Sequence, residues 1–103
     1  MDEARVYQNQ TPIGHGGKQE LVYLEYKDKK LGLASCPEGD YFHIIPESDM
    51  ERFVKNIKKT DENGREVSAN LVTPIFEAAA EGKSRNLDET TNQLLQSLRG
   101  ENV

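Results

Sequence analysis

The chain predicts an α+β domain, with an antiparallel sheet of three to four strands in the N-terminal half and two to three helices in the C-terminal half. Together they form a single two-layer domain over residues 1–103. Three observations carry this. β-Branched and aromatic residues crowd the stretch before Pro46 in short runs separated by Gly, Pro and Asp. The first clear helical spacing of apolar residues begins only after Pro46. Strands followed by helices, without alternation, mark α+β architecture. A chain of 103 residues, 35% hydrophobic and 30% charged, can fill one such core and is too short for barrels or dinucleotide-binding sheets.

Ala4 to Gln8 predicts a short first strand, and the Gly-rich Thr11 to Gly17 a loop. Gln19 to Lys27 is the clearest strand, Lys27 to Lys30 its turn, and Leu31 to Cys36 the returning strand. Pro37-Glu38-Gly39-Asp40 suits a β-turn before a last strand from Tyr41 to Ile45. Closing the first hairpin with Tyr26 opposite Leu31 pairs Leu24 with Leu33 and Val22 with Ser35. The second hairpin pairs Cys36 with Tyr41, Ser35 with Phe42 and Ala34 with His43. One face then carries Val22, Leu24, Tyr26, Leu31, Leu33, Phe42 and Ile44, an apolar core face. The other mixes Tyr23, Tyr41 and His43 with Gly32, Ala34, Lys27 and Lys30.

Ser48-Asp49-Met50-Glu51 reads as a capping box, and Met50, Phe53, Val54 and Ile57 follow at helical spacing. That stripe is expected to dock on the core face, and Thr60 to Gly64 to end the helix. Arg65 to Val72 fits strand and helix alike; Pro74 favours a short helix capped by Thr73, running to Ala80 and stopped by Gly82. A last helix starts at Asn86 to Glu89, carries Leu87, Leu94, Leu95 and Leu98 on one side, and ends at Gly100. With three helical segments and one face to cover, an apolar stripe is left over for a second subunit, so homo-oligomerisation stays open.

Composition excludes several classes. A net charge of −5 opposes a dedicated duplex-DNA binder, although a local basic face remains compatible. No run approaches the roughly 18 apolar residues of a membrane span, and the N-terminus is acidic where a secretion signal is basic and then apolar. The single cysteine, Cys36, suits a reducing compartment. Together these point to the cytoplasm.

Chemistry-bearing motifs are few. Gly14-His15-Gly16-Gly17-Lys18 has the glycines of a phosphate loop, but a Ser or Thr after the Lys and a following helix are missing. Cys36 and His43 fall on one face as diagonal neighbours, which suggests a thiolate enzyme or, with His15, a zinc site. Three scattered ligands fall short of a structural zinc set, and a strand-end thiol has no helix dipole to activate it. Asp61 to Gly64 lacks the alternating ligands of a calcium loop, and Asn9-Gln10-Thr11 matches a glycosylation acceptor that only a secreted chain would use. Arg52, Lys55 and Lys59 form a basic stripe opposite the apolar one, expected as a solvated helix face. No metal or cofactor is expected.

The strand-strand-strand-helix order, with Ile44-Ile45-Pro46-Glu47 leading into Met50-Glu51-Arg52-Phe53, resembles the single-strand-binding transcription coactivator family in hydrophobic pattern. That family's basic stretches have no counterpart in this acidic chain. Independently of that resemblance, rings for base stacking beside lysines for phosphates are how β-sheet modules bind single-stranded nucleic acid, while Leu21 and Ile45 on the same side favour cover by a helix.

The expected function is therefore a small non-enzymatic cytosolic module, a regulator or adaptor that acts through protein-protein contact. Single-stranded nucleic-acid binding by the exposed aromatics and lysines is the alternative, and an enzyme using Cys36 and His43 the third. The binding surface is placed on Tyr23, Lys27, Lys30, Tyr41 and His43.

Overall fold

A computed structural model describes residues 3–12, 18–36 and 41–100. Its elements are β1 (Glu3–Pro12), β2 (Lys18–Tyr26), β3 (Lys29–Ser35), β4 (Phe42–Ile44), α1 (Glu47–Thr60), β5 (Arg65–Ser68), α2 (Ala69–Glu81) and α3 (Ser84–Leu98). The fold is α+β, with an antiparallel sheet of order β4-β3-β2-β1-β5 and three helices after β4. The fifth strand is the segment that fitted strand and helix alike: Ala4 faces Val67 and Arg5 faces Glu66, which settles it as a strand up to Ser68.

Register in the β2–β3 hairpin departs from expectation by two residues. Tyr26 faces Lys29, Leu24 faces Leu31 and Val22 faces Leu33, closed by a two-residue turn at Lys27-Asp28. Lys27 takes a left-handed φ of 53°, a conformation that Gly or Asn adopts with less strain, so the turn type carried no composition signal. A shift of two preserves which face each side chain occupies. The β3–β4 pairing is as expected, with Ala34 opposite His43 and Ser35 opposite Phe42.

The apolar face forms the main core. Val6, Val22, Leu24, Leu31, Leu33 and Phe42 pack against Val72, Ile75 and Ala78 of α2 and against Leu87, Leu94, Leu95 and Leu98 of α3. Helix α1 does not dock there. Its Met50, Phe53, Val54 and Ile57 lie on the opposite face, over Tyr7, Tyr23 and Leu21, so helices flank the sheet on both sides and a third layer replaces the expected two. The reason lies in strand β3. Gly32 leaves a trough into which Phe53 and Ile45 fit, and a Cβ at that position would stand 2.9 Å from the Phe53 ring and 3.1 Å from Ile45. Glycine within a strand marks such close approach.

Helix boundaries differ where local chemistry competes. Helix α1 starts at Glu47 after Pro46 with no side-chain cap, so the Ser48 capping box does not form. Helix α2 is capped by Ser68, whose hydroxyl accepts from the Asn70 amide at 3.2 Å, and Pro74 lies inside it. Pro74 costs α2 the bond that Asn70 would accept, yet Asn70 and Pro74 are both exposed, so water can solvate that carbonyl. Gly82 ends α2 at a φ of 72°, and α3 begins at Ser84, two residues before the expected Asn86. Each helix turns its apolar stripe onto the sheet.

One group inside the core is unsatisfied. The Thr91 hydroxyl of α3 is fully buried and has no hydrogen-bond partner among the described residues. Desolvating an unpaired hydroxyl costs about 1–3 kcal/mol. Thr91→Val keeps the shape and removes the group, and urea unfolding should show it about 1 kcal/mol more stable than the wild type; a loss of stability would mean the hydroxyl has a partner.

Candidate functional site

The five residues of the expected binding surface are not brought together. Tyr23 is 1% exposed, its ring edge-on to Phe53 at 6.4 Å between centroids and tilted against Tyr7 at 5.7 Å. The ring-bearing platform is thus the seat of α1, which corrects the placement of Tyr23. Lys27 and Lys30 are exposed at the β2–β3 hairpin end, whereas Tyr41 and His43 are exposed at the β4 edge. Arg52, Lys55 and Lys59 line the exposed side of α1, as expected.

The closed face contains its own polar cluster. The Tyr23 hydroxyl donates to Glu25 Oε2 at 2.9 Å, and Lys58 Nζ donates to the same oxygen at 3.2 Å. The Lys58 ammonium also stands 5.1 Å from the Tyr7 ring centroid and 5.8 Å from that of Tyr23. Burial, then the hydrogen bond to Glu25 and its charge, push the Tyr23 phenol well above its usual range. The phenol stays protonated and donates to the Glu25 carboxylate, and Lys58 of α1, by meeting that same carboxylate, ties the helix to β2. Sequence reasoning passed over Lys58, which belongs to a run of lysines and differs only in its angular position toward the sheet.

Cys36 is half-buried and His43 exposed. No hydrogen bond joins them among the described residues, and among those residues no three His, Cys, Asp or Glu side chains gather for a metal ion. The Gly14 to Gly17 part of the phosphate-like motif, His15, and the Pro37 to Asp40 turn lie outside the described residues.

What remains is the β4 edge. Tyr41 and Ile44, 48% and 41% exposed, are the large hydrophobic residues left in solvent among the described residues. Cys36 donates to the Tyr41 carbonyl and Ile45 to the Gly32 carbonyl, both at 2.8 Å. Alternation then turns the main-chain groups of Phe42 and Ile44 away from β3. The Phe42 amide donates to Asp88 Oδ1 of α3 at 2.7 Å. The Ile44 amide and carbonyl have no partner on that side among the described residues. Beside the edge lies a cleft of about 250 Å³, bounded by Tyr41 to Ile44 and by Ala78, Ala79 and Leu87 below the α2–α3 connection.

The opposite edge is guarded. On β5, Arg65 and Glu66 are charged; Glu66 pairs with Arg5 at 3.1 Å, and the Arg65 guanidinium donates to the Leu98 carbonyl. Charged, tethered edges resist added strands. Among the described residues the β4 edge has no such protection beyond Asp88.

No family model, no curated protein and no solved structure matches the chain.

Asp88 occupies the place a neighbouring strand's carbonyl would take at Phe42. Removing it leaves a half-buried amide without a partner, and a charge-assisted bond of this kind is worth about 1.5–3 kcal/mol. Asp88→Ala should lower the free energy of urea unfolding by about 1–2 kcal/mol and speed exchange of the Phe42 amide. Unchanged exchange at Phe42 would show that the carboxylate does not hold it.

Proposed function

We propose that this chain is a small non-enzymatic cytoplasmic binding module that acts as a regulator or adaptor by protein-protein contact, adding an extended segment of its partner to the β4 edge. The observation that carries the reading is Ile44: an exposed apolar side chain whose amide and carbonyl both face outward from an edge strand. Main-chain hydrogen bonds to such an edge supply affinity, and a pocket beside it selects alternate side chains. The cleft floored by Ala78, Ala79 and Leu87 suits one apolar side chain of the added strand. Tyr41 adds a ring at its rim, where tyrosines often serve as contact anchors.

The reading is tested with peptides selected from a random display library against the wild-type chain. Ile44→Pro removes the outward amide and leaves the β3–β4 ladder intact, since that amide takes no part in it. Selected peptides should bind the variant about tenfold more weakly, the equivalent of one strand hydrogen bond plus the clash of the ring. A library that yields no binder, or binders indifferent to Ile44→Pro, would overturn the proposal. Salt-dependent oligothymidine binding lost in Tyr41→Ala would instead favour a nucleic-acid partner.

A further inference from the structure

The β4 edge is open only in part, and the pattern of what is open is specific. Phe42 and Ile44 turn their main-chain groups away from β3. The Phe42 amide is taken by Asp88 Oδ1 at 2.7 Å. The Phe42 carbonyl and both groups of Ile44 have no partner among the described residues. Beyond them Pro46 has no amide to offer, and its carbonyl accepts from the Asp49 amide at 2.9 Å as α1 begins. An incoming strand therefore meets, in order, an acceptor at Phe42 and then a donor and an acceptor at Ile44.

Strand direction decides what can fill them. In an antiparallel pair the residue opposite Phe42 brings its own carbonyl to the Phe42 amide, where the Asp88 carboxylate already lies. Two acceptors then meet with no proton between them. In a parallel pair each edge residue donates to the residue before its neighbour and accepts from the residue after it. A parallel segment with its second residue beside Ile44 donates from its first nitrogen to the Phe42 carbonyl. The carbonyl of that first residue takes the Ile44 amide, and the third nitrogen donates to the Ile44 carbonyl. Residues placed ahead of the first would again bring a carbonyl against Asp88, so the fit is best for a chain that begins there.

We infer that the β4 edge captures a free polypeptide amino terminus, laid parallel to β4 with its ammonium group between the Phe42 carbonyl and the Asp88 carboxylate. This rests on the strand-addition reading and names its partner class, a protein with an unblocked and extended N-terminus. Capture of a terminal amine by main-chain groups is a recurring mode of peptide recognition. Asp88 is half-buried and no cation pairs with it among the described residues; Lys83, which lines the cleft, is paired with Glu81 at 3.5 Å. An ammonium group there gains a charge-assisted bond that an internal strand segment lacks. Ile44 shares a face with Leu33 and the main core, so the second side chain of the added segment points the same way. It falls over the cleft floored by Ala78, Ala79 and Leu87, which suits valine or isoleucine.

The probe is a pool of peptides with a free amino terminus, valine or isoleucine second, the other positions randomised and fluorescein on a C-terminal lysine. An otherwise identical pool is N-acetylated, which keeps the first N–H and removes its charge. Fluorescence anisotropy on the full chain should show the free pool binding at least about tenfold more tightly, the difference expected of one charge-assisted hydrogen bond. Asp88→Asn keeps an oxygen for the Phe42 amide and should bind the two pools alike. Glu89→Gln makes the same charge change at the next residue, an exposed one, and should retain the preference. Binding by neither pool, equal binding of both by the wild type, a preference that survives Asp88→Asn, or one lost equally in Glu89→Gln would each overturn the inference. The acetylation comparison needs no variant, so it holds whatever Asp88→Asn does to folding. Equal binding of both pools that Ile44→Pro weakens would leave strand addition standing and remove only the capture of the terminus.

Discussion

The seat of α1 on the sheet decides what this molecule can present to a partner. Phe53 fits against Gly32, crosses edge-on to Tyr23 and, with Ile57, covers Tyr7. The Lys58–Glu25–Tyr23 cluster fastens the same helix at its other end. With α1 in place, both faces of the sheet are closed, one by α1 and the other by α2 and α3. The route of the chain follows: α1 leaves β4 at one edge, crosses the ring-bearing face and delivers β5 to the opposite edge.

The two edges that result are chemically unequal. On β5, charged side chains flank the edge, Glu66 paired with Arg5 of β1 and the Arg65 guanidinium bound to the end of α3. On β4, one carboxylate from α3 satisfies Phe42, while Ile44 presents an amide, a carbonyl and an apolar side chain together. Water solvates that amide and carbonyl, and an added strand would pair with both while covering the side chain.

Much of the fold was legible in the residues. Period-two patterning separated the apolar face, and the positions that line the core are those it marked: Val22, Leu24, Leu31, Leu33 and Phe42. The helical spacing of Met50, Phe53, Val54 and Ile57 identified α1, but an apolar stripe says nothing of which sheet face it will meet. The signal was present in Gly32 and Ala34, small residues between bulky ones, which read equally as shallow places on an open surface and as the seat of a helix. Register slipped by two because Lys27 takes a backbone conformation its side chain does not favour. The candidate site was half legible. Tyr41, His43, Lys27 and Lys30 do stand in solvent, but their division between two ends of the sheet depends on strand order and on the helix between them. Asp88 had no signal at all, since it reaches its place only through tertiary packing of α3.

The burial of Tyr23 beneath α1 is the point on which the account turns, and chemical nitration of tyrosines under native conditions, mapped by mass spectrometry, tests it directly. Tyr41 should be modified readily while Tyr7 and Tyr23 react only after denaturation. Nitration of Tyr23 in the folded chain at the rate of Tyr41 would place the ring-bearing face in solvent and contradict the account.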